Sequence, residues 1–213
     1  MLAVAPVAAS PDPLPTVQRA VASVIALVRS PEPTVGRSAD RTMTGPERRA
    51  EIQRIAEQLF DFDEVGRRAL WRHWAERTPE ERAEFVQLFK ALLARTYTGK
   101  IEMYAGEKIT FVGERIDGTA ATVRSRIVNK KTKEATALDY RLHVKAGRWL
   151  VYDVVIDGVS FVSNYRSQFD RMIRESGYAA MVQQLRLNVD QEGDAVLASP
   201  HTGAGQRLHI PIR

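Results

Sequence analysis

The hydrophobic period of this chain changes twice, and those changes limit the folds open to it. Up to about residue 105, apolar residues recur at helical intervals. From Glu107 to Asp157 the period is two, and beyond Ser160 the helical interval returns. The period-two span divides into EKITFVGER, TAATVRSRIVNK, ATALDYRLHVKA and RWLVYDVVID. Asp117-Gly118 and Ala146-Gly147 are tight hairpin signals, and NKKTKE is a longer connection. Consecutive hairpins place sequence neighbours side by side, so the spacing predicts a four-stranded, twisted antiparallel meander. With about six helices wrapped around it, the chain reads as an α+β protein.

Helix boundaries are marked by their first residues. Pro15 opens a helix to Arg29 with Val17, Val21, Val24, Ile25 and Val28 on its apolar side. The Pro/Gly/Ser-rich SPEPTVGRSADRTMTG is a loop. A second helix starts at Pro46, capped by Thr44 or Gly45, and carries Ile52, Ile55, Leu59 and Phe60. Asp61 or Asp63 caps a third with Val65, Leu70 and Trp71. Thr78-Pro79-Glu80-Glu81 begins the longest helix, whose stripe is Phe85, Leu88, Phe89, Leu92 and Leu93. After the strands, Val162, Tyr165, Phe169, Met172 and Ile173 share one helical stripe that ends at Gly177, and a last helix carries Met181, Val182 and Leu185.

In the second and third strands, Ala121, Val123, Ser125 and Ile127, and Leu138, Tyr140, Leu142 and Val144, oppose a basic face with Arg124, Arg126, Arg141, His143 and Lys145. Such a sheet packs helices on one side and meets water on the other. The fourth strand departs from this. Leu150, Tyr152, Val154 and Ile156 form one apolar set, and Trp149, Val151 and Val155 form a second, with Asp153 among them. Its second apolar face needs a cover. From spacing alone, a filled core and a hollow one give the same stripes.

Composition narrows the function. At 213 residues, 44% hydrophobic and 27% charged, the chain can bury a large core. There is no cysteine, which excludes disulfides, thiolate catalysis and cysteine-ligated zinc. No apolar run approaches the roughly 20 residues of a membrane-spanning helix. The net charge is +5, and residues 115–148 hold nine Lys/Arg against three Asp/Glu. Without interleaved exposed aromatics, that excess reads as a solvated sheet face or a docking surface for an anionic membrane or protein, and no nucleic acid partner is expected. The opening MLAVAPVAASPDP resembles the end of a secretory signal with small residues at the cleavage position. The expected division is a signal remnant or disordered terminus at 1–14, one domain at 15–187, and a disordered polar, Gly-rich tail at 188–213. Within that domain, 15–105 is helical, 107–157 is the sheet and 160–187 holds the C-terminal helices.

Enzyme motifs are scarce. The chain has no phosphate-binding glycine loop, dinucleotide fingerprint, nucleophile elbow or HExxH. His73, His143, His201 and His209 lack metal-ligand spacing, so no metal is expected. Asp153 has two readings. Buried and unpaired, it would be a general base in a cone-shaped, isomerase-like enzyme acting on an apolar substrate. Otherwise it pairs with an arginine or caps backbone near Asp157-Gly158. Arg166 is either that partner, a surface charge, or a group at a pocket mouth that steers a phosphate.

Three blocks carry a family likeness: FDFDEVGRRALWRHW (60–74), TPEERAEFVQLFKALLARTYTGKIEMYAGEKITFVGE (78–114) and WLVYDVVIDGVSFVSNYRSQF (149–169). They lie in the order and spacing seen in the MlaC or toluene-tolerance family of periplasmic phospholipid carriers, which residues 15–187 resemble. The likeness implies an apolar pocket for acyl chains with the head group near solvent, and no catalysis or cofactor, only bound phospholipid as cargo. It also implies exchange between an outer-membrane lipoprotein complex and an inner-membrane ABC-type transporter, which maintains outer-membrane lipid asymmetry. The expected pocket residues are Phe85, Phe89, Leu92, Met103, Val123, Ile127, Tyr140, Leu142, Tyr152, Val154, Ile156, Val162, Tyr165, Phe169 and Met172, with Arg166 at the mouth.

Overall fold

Threonine side chains fix where two of the helices begin. The computed structural model describes residues 12–30, 43–104 and 106–190. The expected signal remnant, His201, His209 and nearly all of the expected tail lie outside them. Helix α1 spans Pro13–Arg29, two residues earlier than its periodicity suggested. Thr44 caps α2 (Gly45–Leu59) and Thr78 caps α4 (Pro79–Glu102), each in a reciprocal capping box with a glutamate three residues on. Asp61 caps α3 (Phe62–Leu70), which leads into a 3₁₀ turn at Trp71–Trp74.

The strands are β1 (Lys108–Asp117), β2 (Ala120–Val128), β3 (Ala135–Lys145), β4 (Arg148–Ile156) and β5 (Val159–Ser160), in spatial order 1-2-3-4-5 and antiparallel throughout. Among the described residues the sheet therefore has five strands, not the expected four. The added strand exists because Asp157 (φ 48°) and Gly158 (φ 85°) form a two-residue turn with both residues in the left-handed region. That twist folds Val159 and Ser160 straight back onto Ile156 and Val155. Helix α5 covers Phe161–Asp190. The two helical segments expected here run on as one element with a break at Gly177 (φ 84°, ψ 164°), so the described residues form five α-helical elements rather than six. A left-handed glycine kinks the chain, and helical hydrogen bonding resumes without a loop. The helix continues past the expected boundary at 187, and Asn188 is buried in it.

A β-bulge accounts for the double apolar character of β4. Leu142 pairs with Val151 and Arg141 with Asp153, so Tyr152 is extra. One extra residue reverses which side chains point to which face. Trp149 and Val151 thus share a face with Val154 and Ile156, while Asp153 and Val155 point the other way. The expectation that even and odd residues each keep one face is corrected accordingly. A second bulge at Val112 in β1 leaves that side chain exposed.

Two apolar cores result. The sheet core comprises Val17 of α1 and Leu59 of α2 with Ala121, Val123, Tyr140, Leu142, Trp149 and Val151. The helical core joins α3, α4 and α5 through Val65, Leu70, Phe85, Phe89, Leu92, Val162, Tyr165, Phe169, Met181 and Leu185. Gly66 lets α3 approach α4, since a Cβ there would sit 2.8 Å from Val86 Cγ2. Gly66→Val is expected to lower stability by about 1–3 kcal/mol through overpacking, read from denaturant unfolding.

Candidate functional site

At one end of the sheet the apolar face is packed across β2, β3 and β4, with Ile116 exposed at the β1 edge, and at the other end it is half-open. Along β2, Ala121 and Val123 are buried, while Ile127 is half-exposed. Strand register places Ile109 opposite Ile127, and Leu138 opposite Ile156, at that same end. All four are half-exposed, as are Phe111 and Val154 on the same face. At the packed end, Val17, Leu142 and Val151 have no exposure at all. A run of large apolar side chains on a concave or covered sheet face normally fills its own space. Here six of them keep part of their surface uncovered in one contiguous patch. Tyr140 lies between the two ends; burial pushes its phenol well above the usual range, and a bond with Ser125 offsets part of the effect.

The expected pocket residues are therefore divided. Val123, Ile127, Tyr140, Leu142, Val154 and Ile156 share the sheet face. Phe85, Phe89, Leu92, Val162, Tyr165 and Phe169 belong to the helical core, with Met172 packed against it. Met103 follows α4, is 56% exposed and joins neither cluster. Tyr152, set apart by the bulge, faces a different space, where its ring lies 3.9 Å from the Arg68 guanidinium carbon.

That space is a cleft of about 380 Å³ bounded by Arg67, Arg68 and Trp71 of the α3 end, Arg141 of β3, Tyr152 and Asp153 of β4, Ser160 of β5, and Val162, Ser163 and Arg166 at the start of α5. Asp153 is buried, and its oxygens accept from Val162 N (3.0 Å), Ser160 Oγ (2.6 Å) and Arg141 Nη1 (3.2 Å). Its arginine partner is thus Arg141, not Arg166. It binds backbone as well, but at the start of α5 rather than in the turn. These bonds occupy the carboxylate as a structural acceptor joining β3, β4 and α5.

Both described histidines contact carboxylates. His143 Nε2 lies 2.9 Å from Asp61 Oδ2, and Lys145 Nζ donates to Asp61 Oδ1 at 2.8 Å. Burial alone would raise the Asp61 carboxyl; bonds from Lys145, the Glu64 N–H and His143 outweigh it and hold it below its usual value. His73 Nε2 lies 2.9 Å from Asp170 Oδ1. No group of His, Asp and Glu among the described residues is arranged to hold a metal ion. No described helix is long and apolar enough to cross a membrane.

Glu64 anchors the cleft's arginines, accepting from Arg67 Nε at 2.6 Å and Arg68 Nε at 2.7 Å. The Arg67 bond lowers its carboxyl from 4.5 to about 2; burial opposes the shift and the Arg68 bond adds to it. A depressed folded-state pKa gives stability that is present above the unfolded value and lost on acidification. Thermal midpoints should accordingly fall as pH drops from about 4.5 towards 2, and Glu64→Gln should flatten that stretch of the curve.

Comparison with known proteins fits this architecture. The family model of the MlaC protein matches residues 34–187. The chain belongs to the MlaC family. A curated relative, the intermembrane phospholipid transport system binding protein MlaC of Haemophilus influenzae, is 22% identical over 135 residues. The match covers 62% of this chain and 63% of that protein, so the chain spans somewhat under two thirds of its relative. A solved structure, the phospholipid-binding protein of Ralstonia solanacearum in complex with a phospholipid, superposes with a TM-score of 0.66 at 28% identity. It covers 83% of this chain and 96% of that one.

Sequence reading singled out Arg166 and Asp153 but not Arg67, Arg68, Trp71 or Arg141 as their neighbours. Nothing local to Arg67-Arg68 in the sequence marks a site. Only the fold brings α3 over β4.

Proposed function

We propose that the chain is a phospholipid-binding transport protein that holds acyl chains against the half-open apolar face of its sheet. The observation that carries this reading is the contiguous patch of Ile109, Phe111, Ile127, Leu138, Val154 and Ile156, left partly uncovered beside the buried Ala121, Leu142 and Val151. Family membership supports it, as does the phospholipid bound to the Ralstonia solanacearum protein of the same fold.

The energetics favour a carrier that matches hydrocarbon rather than grips it. Each methylene kept from water is worth ~0.8 kcal/mol, so two long chains cannot cross an aqueous gap unshielded. A donor bilayer already shields them. Net transfer is then near balance, which permits both loading and release. The wider role follows the same line: a periplasmic shuttle between an outer-membrane lipoprotein complex and an inner-membrane ABC-type transporter, serving outer-membrane lipid asymmetry. The part played by the Haemophilus influenzae relative, whose name places it in an intermembrane phospholipid transport system, supports that role. The protein acts without catalysis and without a cofactor. Asp153, its oxygens engaged by three donors, is structural in this reading.

Val154→Asn tests the reading. The residue is half-exposed on the apolar face, so a polar group there should lower phospholipid uptake from vesicles several-fold while the unfolding midpoint moves little. Equal loss of uptake and stability would assign Val154 to ordinary core.

A further inference from the structure

The arginine cleft lies on the sheet face opposite the apolar patch, because Arg141 and Asp153 pair on the side away from Leu142 and Val151. Four guanidinium groups, those of Arg67, Arg68, Arg141 and Arg166, border it. Two carboxylates answer them. Glu64 binds Arg67 and Arg68, and Asp153 binds Arg141. Two positive charges are left over. Arg166 meets no carboxylate among the described residues. Its Nη2 donates to Ser163 Oγ at 3.3 Å, and its guanidinium carbon lies 5.4 Å from the Trp71 ring centre.

Trp71 forms the lip of the cleft. It is 55% exposed, with backbone φ 49° and ψ −118°, a costly conformation for a residue with a side chain. The donors come from three elements: α3, β3 and the start of α5. Planar forks and a hydroxyl approaching from several directions suit a tetrahedral oxyanion better than a flat carboxylate. The volume of about 380 Å³ lies at the lower end of the roughly 300–1,000 Å³ usual for small-molecule sites. Acyl chains have no place among these charges.

We propose that this cleft is a phosphate-binding site with Arg166 as its principal cation, supported by Ser163 and by the surplus charge of Arg67, Arg68 and Arg141. The phosphate is either that of the bound lipid's head group or one not attached to the cargo. The site rests on its own charge and geometry, so it stands or falls separately from the acyl-chain reading.

The test titrates the full chain with sn-glycerol 3-phosphate at constant ionic strength, following tryptophan fluorescence, with glycerol as the uncharged control. Arg166→Gln should keep the wild-type thermal midpoint, since Arg166 has no ion pair among the described residues, and Arg166→Lys keeps the charge. A saturable change in the wild type, weakened roughly tenfold in Arg166→Gln and partly restored in Arg166→Lys, supports a site open to free phosphate. A second arm offers vesicles containing both phosphatidylglycerol and diacylglycerol. If glycerol phosphate is silent but Arg166→Gln reduces the ratio of phosphatidylglycerol to diacylglycerol taken up, the phosphate bound is the cargo's. An unchanged ratio with no saturable response, or equal responses in wild type and Arg166→Gln, overturns the proposal.

Discussion

Asp153→Ala is expected to lower the unfolding free energy by about 2–4 kcal/mol, since each donor left without its acceptor costs roughly 1–3 kcal/mol, while Arg141, 44% exposed, stays solvated. The size follows from what the carboxylate holds. One oxygen accepts the Val162 N–H at the first turn of α5, and the other accepts Ser160 and Arg141. Its loss leaves a buried N–H and a part-buried hydroxyl without their acceptor, and loosens α5 from β4. Asp153→Asn should cost less, because the amide oxygen can still accept from the backbone. Urea unfolding of the two variants separates this account from the enzymatic one. Wild-type stability in Asp153→Asn together with lost turnover of an apolar substrate would identify a general base instead.

The second large effect is expected at Phe169. Its ring stands edge-on to Phe85 at 5.3 Å and to Phe89 at 5.2 Å, and lies 5.7 Å from Tyr165. It is fully buried in the helical core. Phe169→Ala removes a large ring from a close-packed cluster and should cost about 3–5 kcal/mol, again by denaturant unfolding. This distinguishes the two apolar regions. If the helical core were the acyl-chain space, bound lipid would fill the vacated volume, and lipid load would rise or hold as stability fell only slightly. Against that, a solid core predicts a large loss of stability, with lipid uptake per folded molecule unchanged.

The sequence was most legible where local chemistry decides structure. Thr44, Asp61 and Thr78 were visible as caps because a side chain satisfies a nearby backbone N–H whatever surrounds it. The hairpins at Asp117-Gly118 and Ala146-Gly147 were visible for the same reason. The bulge at Tyr152 was not. It depends on how β4 registers against β3, and alternation alone reads straight through it. Nor did periodicity separate the two cores, since a helix stripe records that a face is covered and not by what. Phe85 and Val154 look alike as apolar positions; the first has no exposure and the second lies half open on the sheet. Asp153 stood out by its apolar setting, but its arginine could not be chosen from sequence. Arg141 faces it across the β3–β4 ladder, while Arg166, about as far along the chain on the other side, turns towards Trp71.

Native mass spectrometry of the purified chain is the most direct measure of whether acyl chains occupy the open sheet face. The account predicts a bound mass of one diacyl phospholipid on close to every molecule, identified by organic extraction and regained from vesicles after stripping, and reduced by Val154→Asn. Folded protein that carries no lipid as purified, and takes none from vesicles, would contradict it.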